Sequence, residues 1–251
     1  MSTTLLAPPL TAPPDLQGKL KEQGFAVLSP QAASELSGIA LSELLNLNSF
    51  WNDLPPDQYL KDGGRYRRRR HGSFLVDGDT VTQHADRAHW QPLSYNALHG
   101  GMRRWFAPLE AAMTATAAWS ALLSFLGHVA SGLRGDQTWF VEAHPFRIDT
   151  TDGIGRPTPE GAHRDGVDLV AVFLIGRHSI KGGETRVFDV SSPFGQRFTL
   201  TEPWSVLLLD DARVIHETTP IQPQGELGWR DTLVITLRSG GFLDEPSKTA
   251  A

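Results

Sequence analysis

A histidine and an aspartate two residues apart, His163 and Asp165, are followed far downstream by His216 and then by Arg230 and Thr232. Two imidazoles and one carboxylate make a facial set of three ligands for ferrous iron and leave coordination positions open. In an extended segment residues i and i+2 point the same way, so His163 and Asp165 can reach one metal while Arg164 faces away. His216 comes after the apolar run Ser205 to Leu209, and a further strand is expected from Trp229 to Leu237. Alternation along it puts Arg230, Thr232, Val234 and Thr236 on one face. An arginine and a hydroxyl side by side there can clamp a carboxylate through parallel hydrogen bonds. Arg238 shares that face, but eight strand residues separate it from Arg230 by roughly 26 Å. Only one of the two can serve one pocket, and Arg230 is nearer His216 in sequence.

Each element alone is common; the order H-x-D, a long β-rich interval, His, then Arg-x-Thr on the next strand is what carries weight. Other candidates have plainer readings. Glu184, after Gly182 and Gly183, reads as a polar hairpin residue, and Glu217 should face away from His216. His144 and Arg147 alternate to opposite faces, unless Pro145 between them marks an edge strand or a bulge. The basic run Arg65 to His71 leaves three readings open. It is a solvated basic face, a strand presenting alternate arginines (Arg67 and Arg69 among them) to a substrate carboxylate, or a phosphate-gripping patch.

These residues need elements to position them. The helices are expected over Asp15 to Gln23, over Gln31 to Leu45 after the N-cap Ser29 and first-turn Pro30, and over Met102 to Leu133 with a break near Gly127. An apolar strand is expected at Phe25 to Leu28. From Thr138 the texture turns to strands: Trp139 to Ile148, the doubly buried run Asp168 to Ile175, Glu184 to Val190, Phe198 to Leu200, Trp204 to Leu209 and Trp229 to Leu237. Short strands separated by turn residues predict a mainly β protein, a double-sheet jelly roll with N-terminal helices packed on the sheet. The expected organisation is an extended, loosely held lead-in over 1–14 and one domain over 15–251, with helical support in 15–135 and the jelly-roll core at about 138–240.

Composition narrows the chemistry. The 251 residues include no cysteine, which excludes disulfides, a thiolate nucleophile and cysteine-based zinc sites. A net charge of −5 argues against general nucleic-acid affinity. No run approaches the length needed to span a membrane, and the proline-rich start lacks the basic region of a secretory signal. A cytoplasmic protein with a small-molecule substrate is the expectation.

The stretch PTPEGAHRDGVDLVAVFLIGRHSIKGGETRVFD, Pro157 to Asp189, resembles the Fe(II)/2-oxoglutarate-dependent dioxygenases, and the likeness continues through His216 to the Arg230 strand. It is most similar to the branch typified by bacterial L-isoleucine 4-hydroxylase, and the weaker segment RYRRRRHGSF, Arg65 to Phe74, resembles an N-terminal feature of that branch. The resemblance implies iron ligands at His163, Asp165 and His216. It places the distal carboxylate of 2-oxoglutarate at Arg230, with Thr232 where many relatives have serine. It further implies Fe(II), 2-oxoglutarate and O2 as cofactor and cosubstrates (ascorbate being a possible requirement in vitro), succinate and CO2 as coproducts, and hydroxylation of a small molecule such as a free L-amino acid. Arg67, Arg69 and Arg147 are the candidate substrate residues. A peptide or biosynthetic intermediate as substrate, or a non-catalytic jelly-roll binding module, are the alternatives.

Overall fold

The computed structural model describes residues 5–96 and 98–244. The outer parts of the expected lead-in and domain, residues 1–4 and 245–251, lie outside the described residues. Among these, thirteen strands and five α-helices follow one another in the order α1 (Leu16–Gln23), β1 (Phe25–Leu28), α2 (Pro30–Ser37), α3 (Leu41–Asn46), β2 (Arg67–Arg69), β3 (Gly72–Asp77), β4 (Thr80–Gln83), α4 (Ala111–Thr114), α5 (Ala117–Arg134), β5 (Trp139–Asp149), β6 (Leu169–His178), β7 (Ile180–Gly182), β8 (Thr185–Asp189), β9 (Gly195–Phe198), β10 (Val206–Asp210), β11 (Val214–Thr218), β12 (Ile221–Pro223) and β13 (Trp229–Arg238).

An eight-stranded antiparallel sheet runs β1-β10-β6-β13-β5-β3-β4, with β2 paired to β5 beyond the end of β3. A smaller sheet, β11-β8-β9, and the ribbon β12-β7 complete the jelly roll. Strand alternation divides the large sheet's faces. One face, with Trp139, Val141 and Ala143 of β5 and Leu233, Ile235 and Leu237 of β13, packs on the helices in the main apolar core. The other, with Val170, Leu174, Leu207 and Leu209, meets Val187, Phe198 and Val214 of the smaller sheet.

The long helix α5 buries Trp119, Leu122, Leu123, Leu126, Val129 and Ala130 on one stripe. That spacing matches the 3.6-residue period of a helix with one dry side. Its N-cap is Thr116, whose hydroxyl accepts from the Trp119 amide at 3.1 Å. Ser29 caps α2 in the same way, at 3.1 Å from the Ala32 amide.

Four expectations need correction. The helix after Ser29 does not run on to Leu45. It ends at Gly38, whose φ of 68° is the left-handed cap conformation glycine adopts without steric cost, and α3 starts afresh at Leu41. The tract from Met102 is not helical until Ala111, and Pro108 within it forms a bridge with His71. Gly127 does not break α5: a Cβ there would come to 2.7 Å from Val76 Cγ1, so it allows close helix–sheet approach. Finally, the chain just before residue 15 is held, not loose: Leu10 bridges Val27 and the Thr11 amide donates to the Val27 carbonyl at 2.7 Å, covering the open side of β1. The support region also contributes β1 to β4 to the large sheet, so sheet and support interleave along the chain. Among the described residues no helix is long and apolar enough to cross a membrane.

Candidate active site

The segment around His163 adds itself to the edge of the smaller sheet. His163 and His216 pair directly, each amide donating to the other's carbonyl at 3.0 Å. Directly opposed antiparallel residues put their side chains on the same face, and the two imidazole centroids lie 4.6 Å apart. Asp165 completes the group, with its carboxylate oxygens 4.0 Å from His163 Nε2 and 3.8 Å from His216 Nε2. These three donor atoms all fall within 4.8 Å of one another. His163 Nδ1 lies 2.9 Å from the Gly161 carbonyl. A proton on Nδ1 satisfies that contact and leaves Nε2 as the ligating lone pair.

The backbone carrying Asp165 is fixed from the turn after β10. Asp211 accepts from the amides of Asp165, Gly166 and Val167 at 3.0, 2.7 and 3.2 Å. Burial, reinforced by the charge of Asp165, pushes the Asp211 carboxyl up to about 6. Gln91 holds the Asp165 side chain, its Nε2 donating to Oδ1 at 3.3 Å. The amide cannot flip, because Gln91 Oε1 already accepts from Arg104 Nη2 at 2.9 Å and Asn96 Nδ2 at 3.2 Å. Burial, with the charge of His163, pushes His216 well below the ordinary imidazole value. On His163 burial acts in the same downward sense, but the carboxylates of Asp165 and Glu160 outweigh it and raise the value.

The three donors open into a cavity of about 130 Å³ between the two sheets. Arg230, Thr232, Val234 and Thr236 all line it, as alternation along β13 requires. Arg230 is buried, its Nε has no hydrogen-bond partner, and burial together with the nearby Arg177 lowers it to about 10. A buried guanidinium with an unmet donor calls for an anion. The donor set suits ferrous iron, and this arginine suits the carboxylate of a chelating keto acid.

The arginine run alternates as a strand. Arg67 and Arg69 on β2 turn into the cavity, while Arg68 and Arg70 face outward to Asp149 and Glu110; Arg65, ahead of the strand, does not follow the alternation and pairs with Asp152 at the surface. Arg67 is held by Asp57 at 2.7 Å and keeps Nη2 unpartnered. Arg69 lies between the rings of Phe106 and Phe146, 3.8 and 4.4 Å from their centroids. Its Nη2 is 2.6 Å from His144 Nδ1, and burial lowers it well below the usual arginine value.

Arg147 is not brought to the site. It turns to the opposite face of β5, bonds Asp231 at 2.6 and 2.8 Å and lies over Trp229. Pro145 does not shift the register, and β5 is not an edge strand. The Pro145 position falls in the gap between the β3 and β2 pairings, where no ladder amide is required of it. His144, Phe146 and Ile148 therefore keep alternating inward. Glu184 and Glu217 lie outside the cavity and pair with Arg186.

Several lining residues escape the sequence patterns. Gln91 and Arg104 come from the irregular stretch between β4 and α4, which has no periodicity to announce them. Arg104 is lowered to about 10 by burial and by the charge of Arg67. Glu142 accepts from His71 at 2.9 Å and from His89 and Arg87 at 3.3 Å. Burial opposes its ionisation, but His89 and His71 together hold it below the carboxylate range, while burial takes His89 down to about 4. His71, His89, Glu142 and His144 form a second donor cluster. Arg69 and Arg87 bond directly into it, so hydrogen bonds and neighbouring positive charge already occupy the positions a cation would take.

A jelly roll with two histidines, an aspartate and a buried arginine facing one cavity defines a non-haem iron oxygenase of the 2-oxoglutarate-using class. The model of the 2OG-Fe dioxygenase family matches residues 48–236, and the chain belongs to that family. It is accordingly an enzyme that uses Fe(II), 2-oxoglutarate and O2. The crystal structure of a bsmA homolog from Methylobium petroleophilum PM1 is 51% identical, covers 97% of this chain and 99% of its own, and superposes with a TM-score of 0.90. More distant structures share the fold: IDO from Bacillus thuringiensis at 16% identity, 96% and 99% coverage and a TM-score of 0.73, and the Fe(II)/α-ketoglutarate-dependent dioxygenase TqaL at 20%, 93% and 90%, and 0.70. Comparison with curated proteins gave no match.

Proposed function

We propose that the enzyme hydroxylates a free L-amino acid, with iron held by His163, Asp165 and His216 and the distal carboxylate of 2-oxoglutarate held by Arg230 and Thr232. The observation that carries the reading is the convergence of three metal-type donors and an unpartnered, buried Arg230 on one small cavity. Iron bound there, with 2-oxoglutarate and O2, supplies oxidative decarboxylation of the cosubstrate to succinate and CO2, coupled to insertion of oxygen into a C–H bond. The chain's own residues do the positioning. Gly161 sets the His163 tautomer, Gln91 and Asp211 fix Asp165, and Arg230 anchors the cosubstrate.

Substrate recognition falls to the buried cations of the same cavity. Arg69 makes no ion pair with a carboxylate among the described residues, and Arg67 has a donor to spare. A substrate carboxylate satisfies both, with Phe146, Val172 and Val234 as an apolar wall for its side chain. A cavity of about 130 Å³ suits a small molecule. This agrees with the likeness of the motif to the branch acting on free amino acids. We read the region from residue 15 onward as one domain, acting in the cytoplasm.

The test is succinate release by anaerobically iron-loaded protein given 2-oxoglutarate, ascorbate and air, against the twenty amino acids. Succinate rising above the uncoupled background with one or a few of them supports the proposal. Background turnover with every amino acid would overturn it while leaving the enzyme class intact.

A further inference from the structure

Glu160 is a cavity residue whose bonding is incomplete. It stands on the loop leading to His163, its side chain is 11% exposed, and its Oε2 is buried without a hydrogen-bond partner. Its Oε1 has one close neighbour, His163 Nε2 at 3.5 Å. That nitrogen is the atom proposed to bind iron. Glu160 Oε2, the oxygen farther from His163, has no donor among the described residues although it belongs to the cavity lining. A buried carboxylate oxygen without a donor is costly, so this oxygen suits a cationic hydrogen-bond donor entering the cavity.

Among the described residues no side chain supplies that donor. Arg104 and Arg69 line the same cavity, and the charge of Glu160 acts on Arg104 through space, yet neither arginine forms an ion pair with it. Nor is Glu160 a fourth ligand of the metal group, since the donors lying within 4.8 Å of one another are His163, Asp165 and His216. One cavity therefore holds an uncompensated carboxylate beside the metal position and uncompensated guanidiniums elsewhere on its wall. Separated, unmatched charges of opposite sign are complementary to a zwitterion.

We infer that Glu160 binds the ammonium group of the substrate, so that the enzyme acts on a free primary amine and rejects N-acylated amino acids and peptide-linked residues. This rests on the free amino acid reading and adds the group that enforces it. The cost of leaving Glu160 buried against a neutral amide is what excludes the acylated forms.

The test takes the amino acid found active and compares it with its N-acetyl derivative and its amine-free carboxylic acid, using wild type and Glu160→Gln. Wild type should lose about 10- to 100-fold in kcat/KM on removing the charge from the nitrogen, the range expected for a charged hydrogen bond. Glu160→Gln should lose a similar factor on the amino acid, mainly through KM, and so lose the preference for the amino acid over the amine-free acid. Calorimetry on the oxygen-free, iron-loaded proteins should show the same loss of amino acid binding with iron affinity unchanged. Equal use of the N-acetyl derivative by wild type, which needs no variant, would overturn the inference. So would Glu160→Gln binding the amino acid normally while losing iron. If wild type turns over amino acids and Glu160→Gln behaves identically, the inference fails and the proposed function stands. If no amino acid is turned over, both fall.

Discussion

The two faces of the large sheet are built from the same strands and do opposite work. On β13, Leu233, Ile235 and Leu237 turn to the helices, fully buried in an apolar core. Between them, Arg230, Thr232 and Thr236 turn to the cavity, equally hidden from solvent but with polar atoms to satisfy. On β5 the contrast is Val141 and Ala143 against Glu142 and His144. Burial is nearly the same on both faces; what differs is how far the buried groups are paired. The helix-facing side gains from every apolar contact. The cavity-facing side keeps donors unmet on Arg67, Arg69, Arg104 and Arg230, which costs stability and prepares the site for anions that the folded chain lacks. Stability and chemistry are thus separated by one residue of register.

That separation is broken most strongly at the metal position. Asp165→Ala should reduce hydroxylation at least a thousandfold, about 4 kcal/mol of activation free energy, with iron affinity falling and the melting temperature nearly unchanged. Turnover with bound iron at the wild-type rate would defeat the ligand assignment. The reciprocal change is Leu233→Ala on the other face. It leaves a cavity in a fully buried position and should cost about 3 kcal/mol in denaturant unfolding, while the folded fraction keeps its KM for 2-oxoglutarate. Loss of cosubstrate affinity without loss of stability there would mean that the two faces are not independent.

Much of this division is legible in the sequence, and the reason is periodicity. Alternation along Trp229 to Leu237 assigns each β13 side chain to its face, and the i, i+2 spacing of His163 and Asp165 puts them together. From Arg67 on, the arginine run resolves by the same rule, Arg67 and Arg69 inward and Arg68 and Arg70 outward, while Arg65 precedes the strand and pairs outward with Asp152. Arg147 belongs to the other face by that alternation, and its assignment to the substrate fails for that reason. Where the pattern is irregular the sequence is silent. Gln91, Arg104 and Glu160 sit on loops and reach the cavity only through tertiary packing. The strands β3 and β4 lie in a stretch whose short, mixed-polarity segments acquire their pairing from β5. Helix ends depended on single residues, as Gly38 shows.

On the cavity face itself the comparison sharpens at Arg230. Arg230→Ala should raise the KM for 2-oxoglutarate about 10- to 100-fold, the value of a charge-assisted, paired hydrogen bond, and leave iron binding intact. Because the arginine is buried without a carboxylate partner in the free protein, its removal should not lower the unfolding free energy by the amount that losing an apolar side chain does. An unaltered KM would move the clamp elsewhere.

The weakest effect is expected from a buried charged pair on the face turned away from the cavity. Asp231 is buried against Arg147, and burial outweighs that partner, raising the carboxyl to about 6. An acid whose folded value lies above its unfolded value near 3.9 binds its proton more tightly in the folded state. Its contribution to stability is therefore complete below about pH 4 and is lost as pH rises through about 6. Asp231→Asn carries no titrating proton, so the difference in unfolding free energy between variant and wild type should change by roughly 2 kcal/mol across that interval, the variant gaining relative to wild type as pH rises. Urea unfolding at several pH values between 4 and 7 measures it. A difference that stays constant with pH would mean that Arg147 fully compensates the buried carboxylate, and that even the face turned away from the cavity tolerates a charge without a titration penalty.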